Sequence, residues 1–508
     1  MNIKLRSCKS RFAGGMALLL LASSAPAAVN AASGGQAQAP VTLTMYYPGT
    51  ESPDEAVVEE AINHYLNMKI GVSLDLRPYD WANYNNKIKV MIAAGEPMDL
   101  FFTAGWLNFK QFADINVLRD LTPLLARYAP DMMKTMNPLY LKGTAINGRN
   151  YAVPTQMNNV TWKGLLINKQ LADKYHFDIA GIKKLSDLEP MLKVIKAKES
   201  KATPLFGKIA DFEGLASYQK LAPDSPGSLM PGGGTKVANE FASPAMSSLL
   251  AQYYRWTTKG YIVPSRQAFN SFQDQTLFSS QASVQTFAVL TSSANYDTAS
   301  QLQTATGQSW LEVRLQAPLI TNENLTAGML SVSSLSKHAE DAVRVINLLH
   351  ANKKLLDLLD WGIAGTHYRA DAGSPGMITP IGKGYATSGP WMFGNPGLTY
   401  HTKADAADPN IWARGKKIFD KAALSPVIGL YYDPAPNAES NQAVNSLISN
   451  FNANMDRAPQ DPATALPKLQ SRLKQAGIAG VIADKQRQVD AYLTEKHKLA
   501  VQQQALAQ

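Results

Sequence analysis

Cysteine is almost absent from this chain. Its 508 residues include one, Cys8. A single thiol excludes an intrachain disulfide framework and any zinc site built on several thiolates. Charge is sparse as well. Asp, Glu, Lys and Arg make up 18% of the residues, against roughly 25% in an average soluble protein, while 45% are hydrophobic. That balance excludes a disordered polyelectrolyte, which needs low hydrophobicity and high charge. Long apolar runs are missing too. Met16 to Ala22 is the most apolar stretch, and a membrane-spanning helix needs about 20 such residues.

What is present begins with a leader. Lys4, Arg6, Lys9 and Arg11 form a basic opening without an acid among them, followed by the apolar run, Pro26 and Val29-Asn30-Ala31. Basic, apolar and small residues in that order read as a secretory signal peptide over 1–31. Cys8 lies before the apolar run, where it cannot serve as a lipid-anchored cysteine after cleavage. Cleavage after Ala31 leaves 477 of the 508 residues, no cysteine, and a formal charge reduced from +9 to +5. So small a charge on so long a chain gives little footing for nucleic acid. The expected product is soluble, exported and not lipid-anchored. Residues 32–40, rich in Ala, Ser, Gly and Gln, read as a flexible leader.

Strand and helix signals then alternate. Val41–Tyr47 is β-prone, and Pro48-Gly49-Thr50 breaks it. Ser52-Pro53-Asp54-Glu55 has the pattern of a helix start, with Ser52 as the cap. Gly71–Arg77 predicts a second strand, Trp81–Ala94 a second helix closed by Gly95, and Met98–Thr103 a third strand. This order predicts an open α/β sheet with ligand at the carboxyl ends of its strands. Three loops fall there: Tyr46–Thr50, Pro78–Trp81 and Thr103–Trp106, all rich in aromatic and hydrogen-bonding residues. Further on, Trp162–Asn168 is strand-like. Trp310–Pro318 reads as a strand running into Leu325–Val332. Ser336 reads as the cap of the next helix, and Asp357–Gly365 continues the helical pattern with Trp361.

Enzyme signatures are few. The histidines His64, His176, His338, His350, His367, His401 and His497 never form His-Glu-x-x-His. There is no Gly-x-Ser-x-Gly elbow. Gly232-Gly233-Gly234-Thr235-Lys236 lacks the phosphate-loop order and reads as a plain loop after Pro231. The remaining enzymatic alternative is an exported glycoside hydrolase, which needs two carboxylates roughly 5–10 Å apart. The adjacent acids Asp54-Glu55, Glu59-Glu60 and Glu340-Asp341 fall in helices or helix starts, where acids serve the dipole and solvation. A scaffold or adhesin is a third class, one that needs no cleft.

Several stretches carry a family resemblance. They are the first strand with Asp54-Glu55, Gly148–Pro154, Ser331–Lys337 followed by Ala339–Ala342, Trp361-Gly-Ile-Ala-Gly-Thr-His-Tyr368, Trp391–Asn395, and Leu473–Ile478 with Gln486–Gln488 and Tyr492. In order and spacing the chain resembles extracytoplasmic solute-binding proteins of ABC importers. The likeness is to the carbohydrate-binding branch that ends in a domain of unknown function.

That resemblance implies a type II, two-lobed α/β periplasmic-binding-protein fold with a ligand cleft between lobes joined by crossing strands. It implies lobe I over 41–157 and 321–385, and lobe II over 158–320 and 386–508. It also implies hinge closure on an oligosaccharide or other small solute, delivery to ABC permease subunits in the inner membrane, a periplasmic monomer, and no cofactor, metal or catalytic residue. A sugar offers apolar faces and many hydroxyls, so its site needs aromatic platforms bordered by polar groups. The candidate platforms are Tyr47, Trp106, Trp162, Trp361 and Trp391. The candidate polar contacts are Thr50, Glu51, Asp80, Gln156, Asn158 and Asn159. Each has a structural alternative: Trp361 as core, Trp391 as turn packing, and Asn158-Asn159 as hinge hydrogen bonds.

Overall fold

Alternation of Leu43, Met45 and Tyr47 with more polar neighbours makes a strand buried on one face, β1 (Val41–Pro48). The chain then forms α1 (Glu55–Ile70), β2 (Val72–Tyr79), α2 (Trp81–Ala94) and β3 (Leu100–Thr103). Gly95 stops α2 in the left-handed region at φ 65°, a conformation that costs glycine little. β1 runs parallel to both β2 and β3, so their carboxyl ends share one edge. Residues 329–332 pair antiparallel with β3, and 152–154 pair antiparallel with 329–332, giving the order β2-β1-β3, then 329–332, then 152–154. The computed structural model describes residues 41–222, 225–262, 286–386, 389–402 and 410–507. The expected signal peptide and flexible leader lie outside them.

A second sheet has four strands in the order 310–314, 162–168, 286–294 and 203–206. It has its own core, with Leu165, Ile167, Phe212, Tyr253, Trp256 and Phe287 at the centre. The first sheet's core is separate and holds Phe101, Phe109, Tyr140, Val345 and Leu355. Two α/β lobes therefore form. Crossing segments tie them: Thr161 bridges Leu319, and Leu319–Ile320 pairs in parallel with Ala423–Leu424.

Four expectations need correction. Ser52 does not cap α1. Its hydroxyl donates to the Ala386 carbonyl, Asp54 holds the cap position, and the Glu55 carboxylate reaches back to the Ser52 N–H at 3.2 Å. The stretch from Trp310 to Val332 is not one strand. Thr321 and Asn324 close a capping box that winds Asn322–Leu325 into a helical turn between the lobes. Ser336 stands two residues before the cap His338; its hydroxyl donates to Asp99 at 2.5 Å and accepts from the His338 N–H at 3.1 Å. The chain also does not leave the first lobe at 386. Met392, Phe393, Phe419 and Ile428 pack in the first core, Phe393 edge-on to Tyr47 at 5.4 Å. The second core takes the chain back from Val444, with Leu466, Leu473 and Val481.

Candidate ligand-binding cleft

The loop after β3 is shaped by a close approach. Gly105 donates its N–H to the Thr326 carbonyl at 2.8 Å. A Cβ at Gly105 would lie 2.2 Å from Thr326 Oγ1, so only glycine lets the two segments meet. The next residue, Trp106, donates its indole N–H to the Ala327 carbonyl at 2.9 Å and keeps 55% of its surface exposed. Trp81 opens α2 at the carboxyl end of β2, across β1 from β3, and is 40% exposed. The two indoles are stacked, with centroids 6.1 Å apart and planes at 28°. Trp391 stacks on Trp81 at 5.8 Å and 14°. Phe102 supports all three rings from below, at 6.4 Å from Trp81, 6.3 Å from Trp106 and 5.6 Å from Trp391. The result is a ledge of apolar ring faces at the carboxyl edge of the first sheet.

Beside Trp106 opens a cleft of about 820 Å³. The first lobe supplies Gly105, Trp106 and Lys110, and the second supplies Trp162, Lys163, Ser217, Tyr218 and Lys220. The crossings supply Asn159, Asn324, Leu430, Tyr431 and Tyr432. These crossings are well pinned. Asn322 donates to the Leu430 carbonyl at 2.6 Å and accepts from the Gly429 N–H at 2.8 Å. The Tyr431 hydroxyl donates to the Gly143 carbonyl at 2.6 Å, and burial raises its pKa. Trp162 is buried. The Arg314 guanidinium lies 4.2 Å from its ring centroid, and Tyr296 and Ile411 pack with it. It therefore borders the cleft without offering an open face. Among the described residues lining the cleft, Glu323 is the one carboxylate.

The sequence-predicted residues divide. Trp106, Asn159 and Trp162 line the cleft, and Trp391 joins Trp106 through Trp81. Thr50, Glu51 and Asp80 are exposed at the carboxyl edge of β1 and β2. The Asp80 carboxylate caps α2 by accepting from Ala82 and Asn83, and the bond from the Asn83 side chain is the main reason its pKa is lowered. Tyr47 is core, with its hydroxyl donating to Glu55 at 2.7 Å. Gln156 is buried against His350 at 3.2 Å, and burial pulls that imidazole down to about 3. Asn158 sits at φ 50°, its backbone N–H donating to the Tyr140 hydroxyl at 2.7 Å. Trp361 donates to Thr399 Oγ1 and to the Tyr400 carbonyl, away from the cleft.

The acid pairs are engaged elsewhere. Glu55 holds Tyr47 and Ser52, Glu59 accepts from the Leu76 N–H, and Asp341 pairs with Arg344. His367 accepts from the Ile363 N–H at Nδ1, so its Nε2 carries the proton donated to Asp54 at 3.2 Å. Sequence reasoning missed Trp81, Lys163, Tyr218, Lys220, Tyr431 and Tyr432. Trp81 had a signal: it closes one of the aromatic loops at a strand end. The others had none, because their segments meet only across the crossings.

Known proteins resemble this chain in sequence and fold. Residues 48–349 match the family described as bacterial extracellular solute-binding protein, and residues 426–494 match a domain of unknown function (DUF3502). A carbohydrate ABC transporter substrate-binding protein of Streptococcus pneumoniae is 26% identical over 463 residues, 89% of this chain and 91% of its own. A crystal structure of an N-glycan transport solute binding protein from Streptococcus pneumoniae is 24% identical and superposes with a TM-score of 0.78 over 90% of this chain and all of its own. The same relative in complex with Man1GlcNAc gives 0.68, at 23% identity over 89% of this chain and 99% of its own.

Proposed function

Because the chain belongs to the bacterial extracellular solute-binding proteins, we propose that it is the exported binding component of an ABC importer and that its solute is an oligosaccharide. The observation that carries this reading is the indole ledge of Trp81, Trp106 and Trp391, which runs into the cleft between the lobes. Sugar rings present apolar C–H faces that lie flat on such platforms, while hydroxyls are held by flanking polar groups. Asn159, Thr161, Ser217, Ser292, Ser293 and Asn324 supply such groups here. The similarity to a carbohydrate-transport relative over most of both chains supports the same class.

The mechanism is closure. Contacts that a solute makes to both lobes exist only when the lobes approach, so binding shifts the population toward the closed form. The closed form is then the one presented to permease subunits at the membrane. In this reading residues 1–31 direct export to the periplasm and are removed, the mature chain acts as a monomer, and it performs no chemistry on the sugar. Glu323 alone, among described cleft residues, cannot form the carboxylate pair of a hydrolase. Calorimetry against an oligosaccharide panel tests the reading, with the bound sugar recovered and analysed. Saturable binding of intact sugar is expected; cleavage that is lost on Glu323→Gln would move the protein to the hydrolases.

A further inference from the structure

The oligosaccharide reading leaves the charge of the solute open, and the second-lobe wall of the cleft bears on it. Two cations stand there: Lys163 on the strand Trp162–Asn168 and Lys220 on the strand Gln219–Ala222. Lys163 Nζ donates to the Ser217 carbonyl at 2.5 Å. Neither lysine has an ion pair among the described residues. Burial, with the Lys220 charge beside it, pulls Lys163 down to about 8. That is the behaviour of a cation lacking an anion.

The described surroundings supply neither lysine with an ion pair, although the Glu213 charge acts on Lys220 from behind the wall. On the first-lobe side, Lys110 is matched by Asp114 at 2.5 Å, and Glu323 is exposed. Behind the second-lobe wall lie Glu213, Glu240 and Lys485, all buried. Glu213 accepts from the Asn452 side chain at 2.8 Å, and burial pushes it up to about 7. Glu240 accepts from the Gly227 N–H at 2.9 Å. Lys485 donates to the Ser225 carbonyl at 2.9 Å and lies 4.7 Å from the Tyr432 ring centroid. Glu240 is thus committed inward and Glu213 reaches Lys220 only by charge, while Lys163 and Lys220 border the open volume. A carboxylate accepts two charge-assisted hydrogen bonds well and a sugar hydroxyl does so weakly.

We propose that Lys163 and Lys220 form a carboxylate-reading subsite, and that the solute is an acidic oligosaccharide whose carboxylate meets the second lobe while another ring lies on the tryptophan ledge. This rests on the oligosaccharide reading and narrows it to sugars bearing uronic or other carboxylic acids.

The test uses the full mature chain on an array of acidic and neutral oligosaccharides. Each acidic hit is then titrated by calorimetry beside its methyl ester, in which the same sugar has lost the charge; tetragalacturonate and its fully esterified form are the first pair. The acid is expected to bind about tenfold or more tightly than the ester, the size of one charged hydrogen bond. Lys220→Gln, at an exposed position, is expected to shrink that ratio several-fold, and Lys163→Met to abolish it. Should Lys163→Met fail to fold, Lys220→Gln carries the test by itself. Equal affinity for acid and ester, or an unchanged ratio in Lys220→Gln, overturns the subsite and leaves the oligosaccharide reading standing. Binding of no sugar by the folded chain overturns both.

Discussion

Trp106 and Trp361 are the same residue type in opposite situations. Trp106 has its N–H held by Ala327 and its ring face open to the cleft. Trp361 ends a packed helix and donates to Thr399 and Tyr400. Replacing Trp106 by Ala is expected to weaken sugar binding by about 1 kcal/mol, the value of one aromatic face. Trp361→Phe is expected to leave the affinity as it was. Titration calorimetry of both variants checks the contrast, and wild-type affinity in Trp106→Ala would remove that ring from the site. Glu213 makes a second residue-scale case. Burial raises its carboxyl from the ordinary 4.5 to about 7, and one of its oxygens has no hydrogen-bond partner. The folded state thus binds the proton more tightly than the unfolded state. Its stabilising contribution is complete below about pH 4.5 and is lost as pH rises through about 7. Glu213→Gln is therefore expected to raise the melting temperature at about pH 8, by an effect of about 1–3 kcal/mol, and to do little at about pH 4. An equal shift at both pH values would contradict it. No pattern in the sequence marked Glu213, because desolvation depends on neighbours that arrive from remote segments.

At the scale of elements, the sequence was most legible where the signal is local. α2 begins and ends where its Asp80 cap and Gly95 stop place it, and β1, β2 and β3 follow their apolar patterns. It was least legible between Trp310 and Val332. There Thr321 and Asn324 form a four-residue helical turn inside a β-prone run, and a capping box with Asn in the last position is a weak cue. The same turn holds the Gly429–Leu430 segment through Asn322. Asn322→Ala strips the partners from Gly429 N–H and the Leu430 carbonyl. An expected cost of about 1–3 kcal/mol follows from leaving such groups unmatched, measured by urea unfolding. Gly105→Ala is expected to lower the melting temperature further and to weaken binding with it, because its new Cβ would displace Thr326 and tilt Trp106. A variant of wild-type stability would show that the loop yields without strain.

For the whole molecule, the observable is closure. A solute bound only by the folded, closed form stabilises it by about 2.7 kcal/mol at a hundredfold excess over Kd. The melting temperature is expected to rise and the radius of gyration by X-ray scattering to fall on saturation with sugar. A raised melting temperature with an unchanged radius would speak against lobe movement. The two-lobed architecture was legible at this scale through the order of weak motifs along the chain. The lobe boundary after 386 was not, because Met392, Phe393 and Phe419 are apolar residues that either core could bury. Only the partner surface, Tyr47 for Phe393 and Tyr140 for Phe419, assigns them.

Local chemistry in the sequence carried the expectation of an export leader, and it determined the α/β alternation and the three aromatic loops at strand ends. Those depend on charge order, periodicity and capping, which are properties of neighbours in the chain. The tertiary structure decided which aromatics face the cleft and which are core. It gathered Trp81, Trp106 and Trp391 over Phe102, and it set Lys163 beside Lys220. Exposure and electrostatic environment are set by contacts between segments hundreds of residues apart, and no stretch of sequence carries them by itself.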